Sequence, residues 1–223
     1  MQIQTWLAAN TFVISDTHFG HANIMRSEPL RSGLVNSVKT DVSNYVDLTA
    51  AADRKLIDNW NSVVSADDNI LHLGDAVWGG KDKITKYIKE LNGRIYLIKG
   101  NHDADNAAYK ELGINIIENI HLFIDGSYDI IPAKHKYANA IITEIDGKRI
   151  MFSHFPVVND IVEDMENFAG ITKELYEIFK NYNCNLNIHG HTHSQSIKIA
   201  SFCKNASIEA IGNFKPHKIG EII

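Results

Sequence analysis

Short apolar runs recur along the chain, and most are followed directly by a small polar cluster. Residues 12–15, 70–73, 94–99, 148–153 and 186–188 are such runs, rich in Val, Ile, Leu and Phe, and read as strands. Residues 48–64 follow another rule. Leu48, Ala52, Leu56, Ile57, Trp60 and Val64 recur at three- and four-residue spacing, which predicts an amphipathic helix. Residues 83–91 repeat the pattern with Ile84, Tyr87, Ile88 and Leu91, and Asn92-Gly93 stops the helix. A third helix is expected over 171–182.

Beyond residue 113 the texture changes to short strands, at 114–117, 121–124 and 128–131. Residues 140–145, then Asp146-Gly147, then 148–153 form a β-hairpin pattern. Residues 196–200 and 206–211 read as closing strands. Residues 27–46 are polar and irregular, with Pro29 and Gly33, and read as an ordered surface insertion near the functional residues. Strand, helix, strand over 70–99 is a βαβ unit, so its two strands should be parallel neighbours. The expected fold class is α/β: one domain over 1–223, built as a four-layer α-β-β-α sandwich of two mixed sheets with flanking helices.

Composition narrows the function classes. The chain has 223 residues, 44% hydrophobic and 22% charged, enough for a sizeable core. A net charge of −5 argues against a dedicated nucleic-acid surface but not against a nucleotide substrate, because a bound metal supplies local positive charge. Cys184 and Cys203 are the only cysteines and read as free thiols. The N-terminus lacks the basic and apolar regions of a signal peptide, and no apolar stretch is long enough to span a bilayer. The expectation is a cytoplasmic protein with no membrane partner.

The polar clusters carry the chemistry. In order they are Asp16-Thr17-His18, Gly74-Asp75, Gly100-Asn101-His102-Asp103, His154 and Gly190-His191-Thr192-His193. All follow strand-like runs, where ligand sites of α/β folds lie. Taken singly, several are ordinary: Asp16 and His18 fit a turn acid and a surface histidine, Asp75 fits a cap, and His154 fits a structural histidine. Gly100-Asn101-His102-Asp103 and Gly190-His191-x-His193 are more specific, because two imidazoles two residues apart after a glycine have few structural uses. Together the five supply carboxylate, imidazole and amide oxygen, the ligand set of a two-metal hydrolytic site.

In order and spacing these residues resemble the calcineurin-like metallophosphoesterase superfamily, whose pattern runs D-x-H, G-D, G-N-H-[DE], H, G-H-x-H. Ser15-Asp16-Thr17-His18-Phe19-Gly20-His21-x-Asn23-Ile24, and Asn59-Trp60-Asn61 ahead of His72-Leu73-Gly74-Asp75, are similar to a bacterial and phage branch of small phosphoesterases. The resemblance implies that Asp16, His18 and His193 hold one metal, that Asn101, His154 and His191 hold a second, and that Asp75 bridges them. It places His102 beside the metals, against the phosphate or leaving group. Asp103 either orients His102 or serves the turn. The implied cofactors are two divalent transition-metal ions, manganese first, with iron, zinc and nickel compatible with the same ligands. Such a pair, roughly 3.5–4 Å apart, neutralises a phosphate ester and activates the attacking water.

The expected activity is hydrolysis of a small phosphodiester, with phosphomonoesters next and a nucleotide among the candidate substrates. His21 and Arg26 are the expected substrate-binding residues, and Trp78 either lines the pocket or packs. A phosphoprotein phosphatase is disfavoured because the run after Asp75, Ala76-Val77-Trp78-Gly79-Gly80, lacks that subclass's arginine. Trp78 likewise stands where purple acid phosphatases have a tyrosine. The alternative from another class is a non-catalytic scaffold or binding protein of the same fold, disfavoured because no ligand position is missing.

Overall fold

The structure is a computed structural model and describes residues 6–35, 45–103, 106–158, 163–195 and 200–223. Its first half alternates strands and helices: β1 (Phe12–Ile14), α1 (Ile24–Ser27), α2 (Pro29–Gly33), α3 (Tyr45–Asn61), β2 (Asn69–His72), α4 (Lys81–Ile88), β3 (Arg94–Ile98), α5 (Asn106–Glu111) and β4 (Asn115–Ile117). The second half is mostly strand: β5 (Ile120–Ile124), β6 (Ser127–Ile131), β7 (Ala140–Ile145), β8 (Lys148–Ser153), α6 (Ala169–Asn181), β9 (Leu186–His189), β10 (Cys203–Asn205) and β11 (His217–Lys218).

Two mixed sheets result. One has the order β11-β1-β2-β3-β4, parallel except for β11 at its edge. The other has the order β10-β9-β8-β7-β5-β6, with antiparallel pairs at β8–β7 and β5–β6. The two-residue period of the strands assigns alternate side chains to different layers. Val13, Leu71, Leu73 and Ile98 of the first sheet meet Phe123, Ile141, Ile150, Phe152 and Ile188 of the second in the central core. On the first sheet's other face, Phe12, Ile14, Ile70 and Leu97 pack with Leu56, Ile57 and Trp60 of α3 and with Ile84 of α4. On the second sheet's other face, Ile142 and Met151 pack with Ile171, Leu175 and Phe179 of α6. Three buried clusters between four layers define the α-β-β-α sandwich that the strand and helix patterns predict. Each buried Ile, Leu or Phe contributes roughly 1.5–3 kcal/mol through area removed from water.

The βαβ unit and the hairpin form as read, β2 and β3 pairing in parallel and β7 joining β8 in register from Ala140–Ser153 to Ile145–Lys148. Two readings need correction. The first part of the 27–46 insertion is not irregular: Pro29 starts α2 at its first turn, where a missing N–H costs nothing. Ile24, Met25 and Val35 then bury against Ala52 of α3. Residues 36–44 of that segment lie outside the described residues. Residues 206–211 are not a strand either. Only Ser207 bridges, to Ser15, and the chain then turns, so that polar side chains of this stretch enter the interior; the closing strands are β10 and β11. Of the other expected closing strand, 196–200, residues 196–199 lie outside the described residues. Among the described residues, no helix is long and apolar enough to cross a membrane.

Candidate metal centre

The five clusters converge at the carboxyl ends of β1, β2, β3, β8 and β9. Backbone bonds join the loops in pairs. Asp16 N–H donates to Gly74 O at 3.0 Å, His18 N–H to Asp75 O at 2.9 Å, and Gly190 N–H to His154 O at 2.9 Å. The two sheets are tied across the site by His191 N–H, which donates to Asp16 Oδ2 at 2.9 Å. Close approach explains two motif glycines: a Cβ on Gly100 would collide with Asp75, and one on Gly190 with Ser15 and Asp16.

The backbone of the site is strained. Asp16, His18, Asp75, His191 and His193 all take left-handed conformations, with φ of 58, 45, 56, 68 and 46°. Such residues cost of order 1–3 kcal/mol each and cluster at functional sites. Asp and His tolerate the region better than most residues. With these conformations the ligand atoms of Asp16, His18 and His193 come within reach of one another, as do those of Asp16 and Asp75 with His154.

In the first half of this site, Asp16 Oδ2 accepts from Ser207 Oγ at 2.9 Å as well as from His191 N–H. Its Oδ1 is buried and has no hydrogen-bond partner among the described residues, and neither has His18 Nε2. His193 Nε2 lies 3.7 Å from Asp16 Oδ1. Burial works against charge on Asp16, but His193, His154 and His18 hold its carboxyl below the usual carboxylate range. In the second half, His154 Nδ1–H donates to Leu73 O at 2.9 Å. Burial lowers the pKa of His154, so its ring is neutral and Nε2 carries a lone pair. That lone pair faces Asn101 Oδ1 at 3.1 Å. His191 packs edge-on to His154, ring centroids 5.2 Å apart, and against Phe155 and Phe168 at 4.3 and 4.8 Å. Burial, then the neighbouring His154, pushes its pKa down to about 3.

Asp75 stands between the halves. Its Oδ2 lies 3.5 Å from His18 Nε2 and 3.5 Å from His154 Nε2, while Oδ1 accepts from His102 N–H at 2.9 Å. Burial, then the carboxylates of Asp103 and Asp16, raises its pKa well above the ordinary value. The lone pair of His154 Nε2 thus faces this carboxylate and the oxygen of Asn101, an arrangement that fits a cation. Asp16, His18 and His193 form one group able to hold an ion, and Asp16, Asp75 and His154 another.

The remaining expected residues separate. The exposed His102 ring lies 5.5 Å from the His18 ring and 4.9 Å from Trp78. Burial, then His154, lowers its pKa. His21 lies flat on Trp78, centroids 3.8 Å apart at an interplanar angle of 5°. Asp103 is drawn into the turn: Oδ2 accepts from the N–H of Asp75 and Gly100, and Oδ1 from Ala76 N–H and Tyr109 Oη. These bonds hold the Asp75 and Gly100 loops together rather than orient the His102 ring. Arg26 is exposed on α1, its guanidinium 5.8 Å from the Tyr45 ring.

The arginine built into the site is Arg31, which sequence reasoning passed over, as it did Glu209 and Ser207. Glu209 is an isolated acid in an apolar run, a trace that could have marked it; Arg31 sits in a polar stretch with no such mark. His72 also gains a defined place. It accepts from Gly74 N–H through Nδ1 at 3.1 Å and donates through Nε2 to Thr17 Oγ1 at 3.0 Å, which in turn donates to Ala76 O.

Residues 9–195 match the calcineurin-like phosphoesterase family, and the chain belongs to it. Membership together with the ligand groups supports a metal-dependent phosphohydrolase. The chain is similar to the Gene 66 protein of Mycobacterium phage L5, 27% identical over 197 residues, 85% of this chain and 80% of that protein. An uncharacterized protein of Methanocaldococcus jannaschii is 34% identical over 107 residues, 47% of this chain and 52% of that protein. Among solved structures, a protein of unknown function from Aquifex aeolicus superposes with a TM-score of 0.62 at 29% identity, covering 92% of this chain and 93% of that one.

Proposed function

We propose that the protein is a dinuclear metal-dependent phosphoesterase acting on a small phosphodiester, with phosphomonoesters as the second substrate class. The observation that carries this reading is Asp75 Oδ2, equidistant from one imidazole of each half of the site. Asp16, His18 and His193 would hold one divalent ion, Asn101, His154 and His191 the other, and Asp75 both. Manganese is the leading candidate; iron, zinc and nickel match the same imidazole, carboxylate and amide donors. Bound there, the ions would neutralise the phosphate and lower the pKa of the attacking water.

The chain's own residues supply the rest. Asp16 spends one oxygen on protein donors and keeps the other for the site, so its charge is fixed in place before any ligand arrives. His102, neutral at pH 7 because its pKa lies below the ordinary value, donates a ring N–H to a phosphate or leaving-group oxygen. Trp78, 37% exposed and stacked on His21, offers a flat wall beside His102 for the organic part of the ester. A nucleotide-type ester suits such a wall, because a base can stack on it. Asp103 serves by fixing the two turns that carry Asp75 and Asn101.

Hydrolysis of bis-p-nitrophenyl phosphate and of p-nitrophenyl phosphate by metal-stripped protein, with Mn²⁺ restored, tests this reading. Turnover of both with the diester favoured is expected. No turnover of either with Mn²⁺, Fe²⁺, Zn²⁺ or Ni²⁺ would sink it.

A further inference from the structure

Arg31 and Glu209 lie 178 residues apart in sequence and meet in the interior, 1% and 2% exposed. The guanidinium of Arg31 donates through Nε to Glu209 Oε1 at 2.8 Å, and through Nη2 to the same oxygen. Its other bonds go to the backbone of the first metal-ligand loop: Nη1 to Thr17 O at 2.6 Å and Nη2 to Asp16 O at 2.8 Å. The second oxygen of Glu209 accepts from His193 Nδ1 at 3.1 Å. One end of the ion pair therefore grips the loop of Asp16 and His18, and the other grips the ring of His193.

The surrounding segment does the same work. Ser207 donates to Asp16 Oδ2, and Asn205 Nδ2 donates to His193 O at 2.8 Å. Residues 205–209 thus form a brace from the end of β10 across to the β1 loop. Glu28 closes the other side, its Oε2 accepting from Ser194 Oγ at 2.6 Å and its carboxylate grouped with His193 and Glu209. A buried ion pair is a poor way to stabilise a fold, since well-packed apolar residues do as well or better. A pair whose every bond ends on the carriers of three ligand side chains has a different use. A carboxylate on the far nitrogen of an imidazole fixes which nitrogen faces a metal and strengthens it as a ligand.

We infer that Arg31 and Glu209 are positioning residues for the first half of the site, holding His193 with Nε2, and Asp16 with Oδ1, turned toward the place of the cation. This rests on the metal-dependent reading above. It places control of the first cation's affinity in a side-chain pair outside the ligand set, one that meets the second half only through Asp16.

Calorimetric Mn²⁺ titration of the metal-stripped full chain tests it, with thermal melting recorded on the same samples. His18→Ala and Asn101→Ala assign the two binding steps to their halves. Glu209→Gln is expected to weaken the first-half step about ten- to a hundredfold, leaving the second within about threefold. Glu209→Asp keeps Arg31 paired while withdrawing the carboxylate from His193, so it guards against loss of the fold; the same selective weakening is expected. Equal weakening of both steps in Glu209→Asp, or two unchanged steps in a protein that melts like wild type, would overturn the inference and leave the metal-dependent reading standing. A wild-type chain that takes up no Mn²⁺ would overturn both.

Discussion

The two halves of the site differ in what stands behind their ligands. In the first, His193 is backed by the carboxylate of Glu209 and Asp16 brings a negative charge of its own. In the second, His154 is backed by a backbone carbonyl, Asn101 is neutral, and His191 leans on two phenylalanine rings. The histidines two residues apart in Gly190-His191-Thr192-His193 register the difference. Burial opposes charge on both, yet Asp16 and Glu209 raise the His193 pKa to about 9, while His191 falls to about 3. The first half therefore gathers negative charge around its histidine and the second does not, with Asp75 between them. The lesson is that ligand type alone does not rank two sites, because the groups behind the ligands set their strength.

That comparison can be broken at its hinge. Asp75→Asn should abolish paired metal binding and lower kcat on the order of 10⁴-fold or more, as measured with bis-p-nitrophenyl phosphate. The same change should raise the melting temperature of the metal-stripped protein at neutral pH, because it removes a carboxyl whose ionisation burial, Asp103 and Asp16 all oppose in the folded state. His102→Ala should lower kcat about 10²–10³-fold while both Mn²⁺ binding steps persist, separating chemistry from metal capture.

The acid side of the stability profile sharpens the picture of the shared scaffold. Burial, partly offset by Asp103 and Asp16, lowers His72 from 6.5 to about 4. The unfolded chain then takes up a proton near pH 6.5 that the folded chain refuses until about pH 4. Stability should therefore fall as pH drops through that window, by roughly 3 kcal/mol for this residue at 1.36 kcal/mol per unit. Denaturant melts of metal-stripped protein should show the loss, and His72→Gln should remove this residue's share of it, the share of His189 and His191, lowered to about 4 and about 3, remaining. The smallest effect belongs to Arg26→Ala, expected to leave kcat/KM within about threefold, since Arg26 lies over Tyr45 and not in either half. A much larger loss of kcat/KM would return Arg26 to the substrate-binding set.

Much of the fold is legible because local pattern decides it. The apolar runs that become β1, β2, β3, β8 and β9 are buried on both faces and so stand out as continuous apolar stretches, and Asp146-Gly147 fixes the hairpin register. The short helices α2 and α5 carry too few apolar residues to show a period. The five clusters are legible as a set because their residue types are rare together at strand ends. What stays hidden is non-local. Nothing near Arg31 announces Glu209, and nothing in Asp16 or His191 announces a left-handed backbone, which only the surrounding structure can impose. Asp103 shows the same limit: beside His102 in sequence it reads as a partner, while in space its oxygens are taken by the Asp75, Ala76 and Gly100 amides and by Tyr109.

The central claim is that two cations share Asp75, one in each half. Anomalous diffraction at the manganese edge from Mn²⁺-soaked crystals of the full chain tests it most directly. Two peaks are expected, one touching Asp16, His18 and His193 and the other Asn101, His154 and His191, with Asp75 between them and the first peak filling at lower Mn²⁺. A single peak at saturating Mn²⁺, or two peaks that do not share Asp75, would contradict the account.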